Sequence, residues 1–276
     1  MKSAIQCDAI HDSKISRRFR FVVLMIALTS GAGAAELFES PSGNRAIDDQ
    51  IGKKTVLITG ANRGLGLEFA RQFSEAGWNV IGTSRRPDEA TELQGLGVRV
   101  LQLDVADPAS VDRLATDLEG EAVDLLINNA GIFPRVNTLS EVDFEEVSRT
   151  IAVNALGPMR VTRALLPNLR RGEARLIVNI TSGLGSIADN ESGRFYGYRE
   201  SKAALNMFTR SVAAELSAEG FTAIVISPGW VQTDMGGPNA TLEPAQSIAG
   251  MRAVIDRLSP ADNGTYWNYD GTRLPW

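Results

Sequence analysis

Histidine and cysteine are almost missing from this chain. Its 276 residues hold one of each, Cys7 and His11, and both precede the stretch that reads as globular. That stretch therefore cannot assemble a Cys/His zinc site, a Ser-His-Asp triad or a cysteine nucleophile. It can form no internal disulfide. Proton transfer must fall to Tyr, Lys, Asp, Glu or Ser. An excess of positive charge is lacking too. The net charge of -5 argues against nucleic acid as the main partner. The chain has no internal repeat, no heptad run and no low-complexity tract. What remains has the composition of a soluble globular protein, long enough for one large domain or two small ones.

Long apolar runs are also absent. Phe21 to Leu28 is apolar, but spanning a bilayer takes about 20 such residues. Lys14, Arg17, Arg18 and Arg20 precede this run, and Ala32-Gly33-Ala34 follows it. A basic region, a short apolar core and a small-residue cleavage site are the parts of a secretory signal. Ser16-Arg17-Arg18 partly matches a twin-arginine signal, although Arg20 stands where an apolar residue is preferred. Residues 1–35 are expected to be a cleaved signal, which predicts export and no membrane span after processing. The alternative is a tail without an address and a cytoplasmic protein. Residues 36–52 read as a polar linker, and 53–276 as the folded domain.

Within 53–276, short apolar runs alternate with helical patterns. Strands are expected at Thr55–Thr59, Asn79–Thr83, Val98–Val105, Val123–Asn128, Leu176–Thr181, Phe221–Ser227 and Thr265–Tyr269. One long helix is expected from Phe144 to Leu169, bent at Pro158, and another from Tyr198 to Ala218. Alternation of this kind predicts a single Rossmann-type α/β fold, a doubly wound parallel sheet flanked by helices. Ligands then bind beyond the carboxyl ends of the strands.

Two features at those ends carry chemistry. Gly60-x-x-x-Gly64-x-Gly66 lies between a strand and a helix. Its glycines allow a tight turn and close approach to a phosphate at a helix N-terminus; the alternative is a turn without a ligand. The second strand ends in Ser84-Arg85-Arg86, without the acid that holds an NAD ribose. Arginines there suit a 2′-phosphate, and Arg63 in the glycine turn adds to them, so NADP(H) is expected over NAD(H). On the helix that follows the fifth strand, Tyr198 and Lys202 are four apart and so share a face. An ammonium beside a phenol lowers its pKa and suits it to proton transfer. By itself the pair also fits a solvated helix face.

Together these residues resemble the short-chain dehydrogenase/reductase family over roughly 54–276. The turn Thr59 to Gly66, with Asn62, Arg63 and Leu65, is similar to its cofactor turn. Asp104-Val105 resembles its adenine-contacting strand end, and Asn129-Ala130-Gly131 its fourth-strand motif. Ser227-Pro228-Gly229-Trp230-Val231-Gln232-Thr233 resembles its nicotinamide-contacting loop, with Pro228, Gly229, Val231 and Thr233 as cofactor contacts. Met235 to Ala240 and Tyr269 to Trp276 resemble the C-factor and sniffer-type carbonyl reductase branch. The resemblance implies a catalytic set of Asn154, Ser182, Tyr198 and Lys202. Tyr198 would be the general acid/base, Ser182 would polarise the substrate oxygen, Lys202 would also hold the nicotinamide ribose, and Asn154 would hold a relay water. It implies a small carbonyl or alcohol substrate and a homo-oligomer. Without the resemblance, Ser182 reads as a strand-end cap and Asn154 as a buried helix asparagine.

The loop from Gly229 to about Pro244 reads as a lid whose Trp230, Met235 and Leu242 face a partly apolar carbonyl compound. A sugar epimerase or dehydratase is disfavoured, since only about 30 residues follow Pro244. A nucleotide-binding signalling protein with little turnover is the alternative of another class.

Overall fold

A computed structural model of the protein describes residues 52–276. The signal expected at 1–35 and, Gly52 apart, the linker expected at 36–52 lie outside the described residues. Among the described residues, no helix is long and apolar enough to cross a membrane.

The described residues form a parallel sheet of β1 (Thr55–Ile58), β2 (Asn79–Ser84), β3 (Arg99–Gln102), β4 (Leu125–Asn128), β5 (Leu176–Ile180), β6 (Thr222–Ser227) and β7 (Tyr266–Asn268), in the order β3-β2-β1-β4-β5-β6-β7. The order in which strands are added reverses between β1 and β4, which lie parallel; this is the switch point where doubly wound folds bind ligands. The central strands are apolar along their whole length because both faces are covered. Val56, Ile58, Leu125, Ile127, Val178 and Ile180 point to one face, against Phe69 and Phe73 of α1 (Gly64–Glu75). Helix α2 (Thr91–Gly95) adds Leu93 to that layer. Leu57, Leu126 and Ile177 point to the other face, against Val111 and Leu114 of α3 (Pro108–Asp117). Period-two alternation thus divides one run of residues between two cores.

The long helix expected at 144–169 is not continuous. It is α4 (Phe144–Ile151), a π-turn over Ala152–Leu156, α5 (Gly157–Ala164) and α6 (Leu166–Arg171). Pro158 lacks an N–H and is tolerated in a first helical turn, so it opens α5 rather than bending a helix interior. Strand β3 is shorter than expected. Leu103 N–H still reaches Ser84 O at 2.9 Å, but Asp104 N–H turns to Ser110 Oγ at 2.9 Å, and Asp104 Oδ1 accepts from Ala106 N–H. The aspartate side chain closes a local turn and ends the ladder. The helix expected from Tyr198 is α7 (Tyr198–Leu216), and α8 (Pro244–Ile255) precedes β7.

Candidate active site

The loops beyond the carboxyl ends of the strands enclose a cleft of about 340 Å³. Its floor is the turn between β1 and α1. Gly60 has φ 65°, a left-handed conformation that glycine adopts without strain. Its N–H points back to Thr83 Oγ1 at 3.3 Å. A Cβ on Gly66 would stand 2.2 Å from Gly60 O and 2.6 Å from Asn129 Nδ2, so only glycine lets α1 start this close to β4. Asn129 locks the two motifs together. Its Nδ2 donates to Thr59 O and Gly60 O at 3.0 and 3.1 Å, and its N–H and that of Ala130 converge on Thr59 Oγ1. Residues 70 apart in sequence thus form one rigid wall.

Most residues expected to bind a cofactor line this cleft. They are Gly60, Asn62, Arg63, Gly64, Leu65 and Gly66 in the turn, and Arg85, Asp104, Val105, Asn129, Ala130 and Gly131 beyond β2, β3 and β4. Tyr198, Lys202, Pro228 and Thr233 complete the set. Gly229 and Val231 are not in its wall. Gly229 packs on Leu242 and Tyr269, and Val231 is buried, bridged to Leu242. Of the lid side chains, Met235 lines the cleft. Trp230 is instead exposed and donates to Gly236 O, and Leu242 lies against Gly229. The loop folds on itself there, with Gln232 N–H to Leu242 O and Leu242 N–H to Trp230 O.

The two arginines after β2 part company. Arg86 pairs with Glu89 at 2.8 Å. Arg85 lines the cleft and has no carboxylate partner among the described residues. Arg63 reaches across the mouth to Asp234 at 3.0 Å, an exposed pair. No carboxylate side chain from the end of β2 lines the cleft, so this end suits a phosphate rather than a ribose hydroxyl. The polar N–H groups of the turn, the glycines and Arg85 fit a phosphorylated dinucleotide. Arg149, Val153 and Asp234 also line the cleft and were not expected. Arg149 belongs to α4 and carries no local signal in sequence.

At the β5 side the expected catalytic groups come together. Tyr198 is buried, its ring edge-on to Phe133 at 4.5 Å. Burial pushes its phenol up to about 12, and the Ser182 hydroxyl facing it offsets part of that rise. Lys202 is buried too, and burial alone pushes its ammonium down to about 8. Its Nζ lies 5.7 Å from the Tyr198 ring centroid and donates to Ile180 O at 2.8 Å. The lowering of the Tyr198 pKa expected from Lys202 is therefore not present in this geometry; desolvation sets the direction. Tyr196, the other tyrosine in the segment, does not line the cleft, and its N–H is held by Val136 O.

Ser182 caps the turn after β5, its Oγ accepting from Leu184 N–H at 3.2 Å. It is not in the cleft wall, and reaches the site through its hydroxyl contact with Tyr198. Asn154 is fully buried in the π-turn. Its Oδ1 accepts from Ile132 N–H, and its Nδ2 donates to Ile132 O and Ser201 Oγ. Both amide hydrogens are committed, so the side chain pins the segment after β4 and has no N–H left for the expected water. No group of three or more His, Cys, Asp or Glu that could hold a metal occurs among the described residues.

The short chain dehydrogenase family model matches residues 54–243. The carbonyl reductase Sniffer of D. melanogaster superposes with a TM-score of 0.77 at 33% identity, over 81% of this chain and 100% of that one. An NADPH-bound carbonyl reductase from chicken fatty liver does so with a TM-score of 0.76 at 34% identity, over 81% and 99%. The C-signal of Myxococcus xanthus is 50% identical over 162 residues, 59% of this chain and 98% of that protein.

Proposed function

The chain belongs to the short chain dehydrogenase family, and on that premise we propose that it is an NADP(H)-dependent oxidoreductase that interconverts a carbonyl and an alcohol. One observation carries the reading: a buried Tyr198–Lys202 pair and a carboxylate-free Arg85 line the same cleft. When bound, the nicotinamide supplies the hydride. The chain's own residues do the rest. The turn from Gly60 to Gly66 and the segment Asn129–Gly131 would hold the diphosphate and ribose. Asp104 and Val105 would flank the adenine, and Arg85 and Arg63 the 2′-phosphate. Pro228 and Thr233 would close the nicotinamide end.

Tyr198 gives its phenolic proton to the substrate oxygen in reduction and takes it back in oxidation. A phenol held up near 12 stays protonated at neutral pH, which suits the reductive direction. Ser182 orients the Tyr198 hydroxyl, and Lys202, held on Ile180 O in the cleft wall, would hold the nicotinamide ribose. Asn154 acts by fixing Ile132 beneath the cleft. Replacement Tyr198→Phe is expected to abolish NADPH-dependent carbonyl reduction and to leave NADPH binding, followed by fluorescence, within about twofold. Substantial residual turnover would remove Tyr198 from its role.

The likeness to C-signal favours one second reading, a nucleotide-binding signalling protein with little turnover. NADPH oxidation with a panel of carbonyls separates the two. On the sequence argument alone we also infer export through residues 1–35 and a homo-oligomer. N-terminal sequencing of the protein from its native cells and sedimentation of the mature chain test these.

A further inference from the structure

Arg199 is a buried cation that the proposed chemistry does not use. It is 8% exposed, and no carboxylate stands within ion-pair distance of it among the described residues. It also occupies the first turn of α7, where the helix dipole disfavours positive charge. Such a breach of local rules is maintained only when something else depends on it.

What it touches is informative. Its Nε donates to Gly193 O at 2.9 Å and Arg194 O at 3.2 Å, its Nη2 to Ser192 Oγ at 3.1 Å, and its Nη1 to Leu184 O at 3.2 Å. The first two acceptors belong to a strained bend, and the third, Ser192, immediately precedes it. Gly193, Arg194 and Phe195 have φ of 60°, 62° and 54°, a left-handed run rare for residues with side chains. Phe195 O then accepts from Tyr198 N–H and Arg199 N–H, so this bend sets where α7 begins. The fourth acceptor belongs to the turn after β5, whose Leu184 N–H holds Ser182 Oγ.

We propose that Arg199 is a positioning residue: its guanidinium clamps the 193–195 bend to the turn at 183–185 and so fixes the Ser182 hydroxyl against the Tyr198 hydroxyl. A planar fork reaches acceptors on both sides at once, and a lysine ammonium on a flexible stem does not. The Ser182 hydroxyl tempers the rise in the Tyr198 pKa, so a loosened clamp alters proton transfer and not only rigidity.

The proposal rests on the oxidoreductase reading, and its test separates the two. Full-length wild type, Arg199→Lys and Arg199→Met are compared in NADPH-dependent reduction of para-nitrobenzaldehyde, well below their melting temperatures. A drop in kcat of about tenfold or more is expected in both variants, with NADPH affinity within about twofold, because small misplacements of reacting groups are costly. Arg199→Lys keeps the charge and the stem, and carries the test if Arg199→Met does not fold. Both folded variants retaining kcat within about twofold, with only a lower melting temperature, would overturn the proposal. Tyrosine ionisation followed by ultraviolet difference absorbance needs no substrate: the step missing in Tyr198→Phe identifies Tyr198 among the four tyrosines, that step should move upward in Arg199→Lys, and an unmoved step counts against the clamp. A wild type without turnover would instead fault the oxidoreductase reading and leave this second measurement decisive.

Discussion

The buried hydroxyl of Tyr266 donates to the backbone carbonyl of Ser182 over 2.5 Å. Strand β7, the last to join the sheet, thereby reaches past β6 to hold the serine turn at the end of β5. The same ring meets Trp276 at 5.3 Å, and Trp276 O accepts from Ile187 N–H and Ala188 N–H just beyond that turn. The C-terminal stretch is thus built into the serine side of the cleft. Burial holds the Tyr266 phenol well above its ordinary value, so it remains a donor at any working pH.

Tyr266→Phe tests this relationship. It removes that donor, but the Ser182 carbonyl keeps Gly185 N–H, so the cost is that of one hydrogen bond, about 0.5–1.5 kcal/mol. A lower denaturant midpoint and a several-fold lower kcat are expected, with NADPH binding unchanged. Equal activity and stability would mean that the serine turn holds itself.

Lys202 gives a pH signature. Its folded pKa is about 8 against 10.5 for the free side chain. Between those values the unfolded chain binds more protons, so wild-type stability rises with pH there. The burial cost is fully present below about pH 8, and at about 1.4 kcal/mol per unit it is at most about 3.5 kcal/mol. Lys202→Met should therefore exceed the wild type in stability most near neutrality, and its lead should shrink towards about pH 9.5. Above about pH 10 the Tyr198 phenol, pushed up to about 12 in the fold, opposes the trend. Thermal melts across this range check the sign.

Gly66→Ala and Gly95→Ala should separate sharply. The first forces a Cβ onto Gly60 O at 2.2 Å, where neither backbone can give way. We expect a loss of about 3 kcal/mol or more, or no folded protein, as overpacking and strain predict. The second meets nothing within 4 Å at the end of α2, and alanine there should be neutral or stabilise by up to about 1 kcal/mol. Urea midpoints of the two variants decide.

Arg85 and Asp234 should act on NADPH affinity in opposite directions. Arg85→Ala removes a charge-assisted contact to the 2′-phosphate, about 2 kcal/mol or some thirtyfold in Kd, with NADH hardly affected. Asp234→Ala releases Arg63 from its exposed pair. Such pairs are worth at most about 1 kcal/mol, so NADPH should bind up to about fivefold tighter. Fluorescence titrations with both nucleotides read each effect. A loss of NADPH affinity in Asp234→Ala would mean that the pair shapes the mouth rather than competing for Arg63.

The sequence by itself determined the fold and much of the cleft. Runs such as Val56-Leu57-Ile58 are apolar at every position, which only a sheet covered on both faces explains, and turn glycines and strand-end polar residues sit at fixed offsets from them. Local rules of this kind act within a few residues, so they are legible in one dimension. Tertiary structure alone decided the break at Ala152–Leu156, where Asn154 is drawn to Ile132 from 22 positions away. It also decided that Arg85 faces the cleft while Arg86 turns to Glu89, and that Tyr198 is raised rather than lowered. Desolvation depends on everything packed around a group, and a buried guanidinium such as Arg199 finds acceptors on segments that sequence spacing does not connect. Those are properties of three-dimensional surroundings, and no periodicity records them.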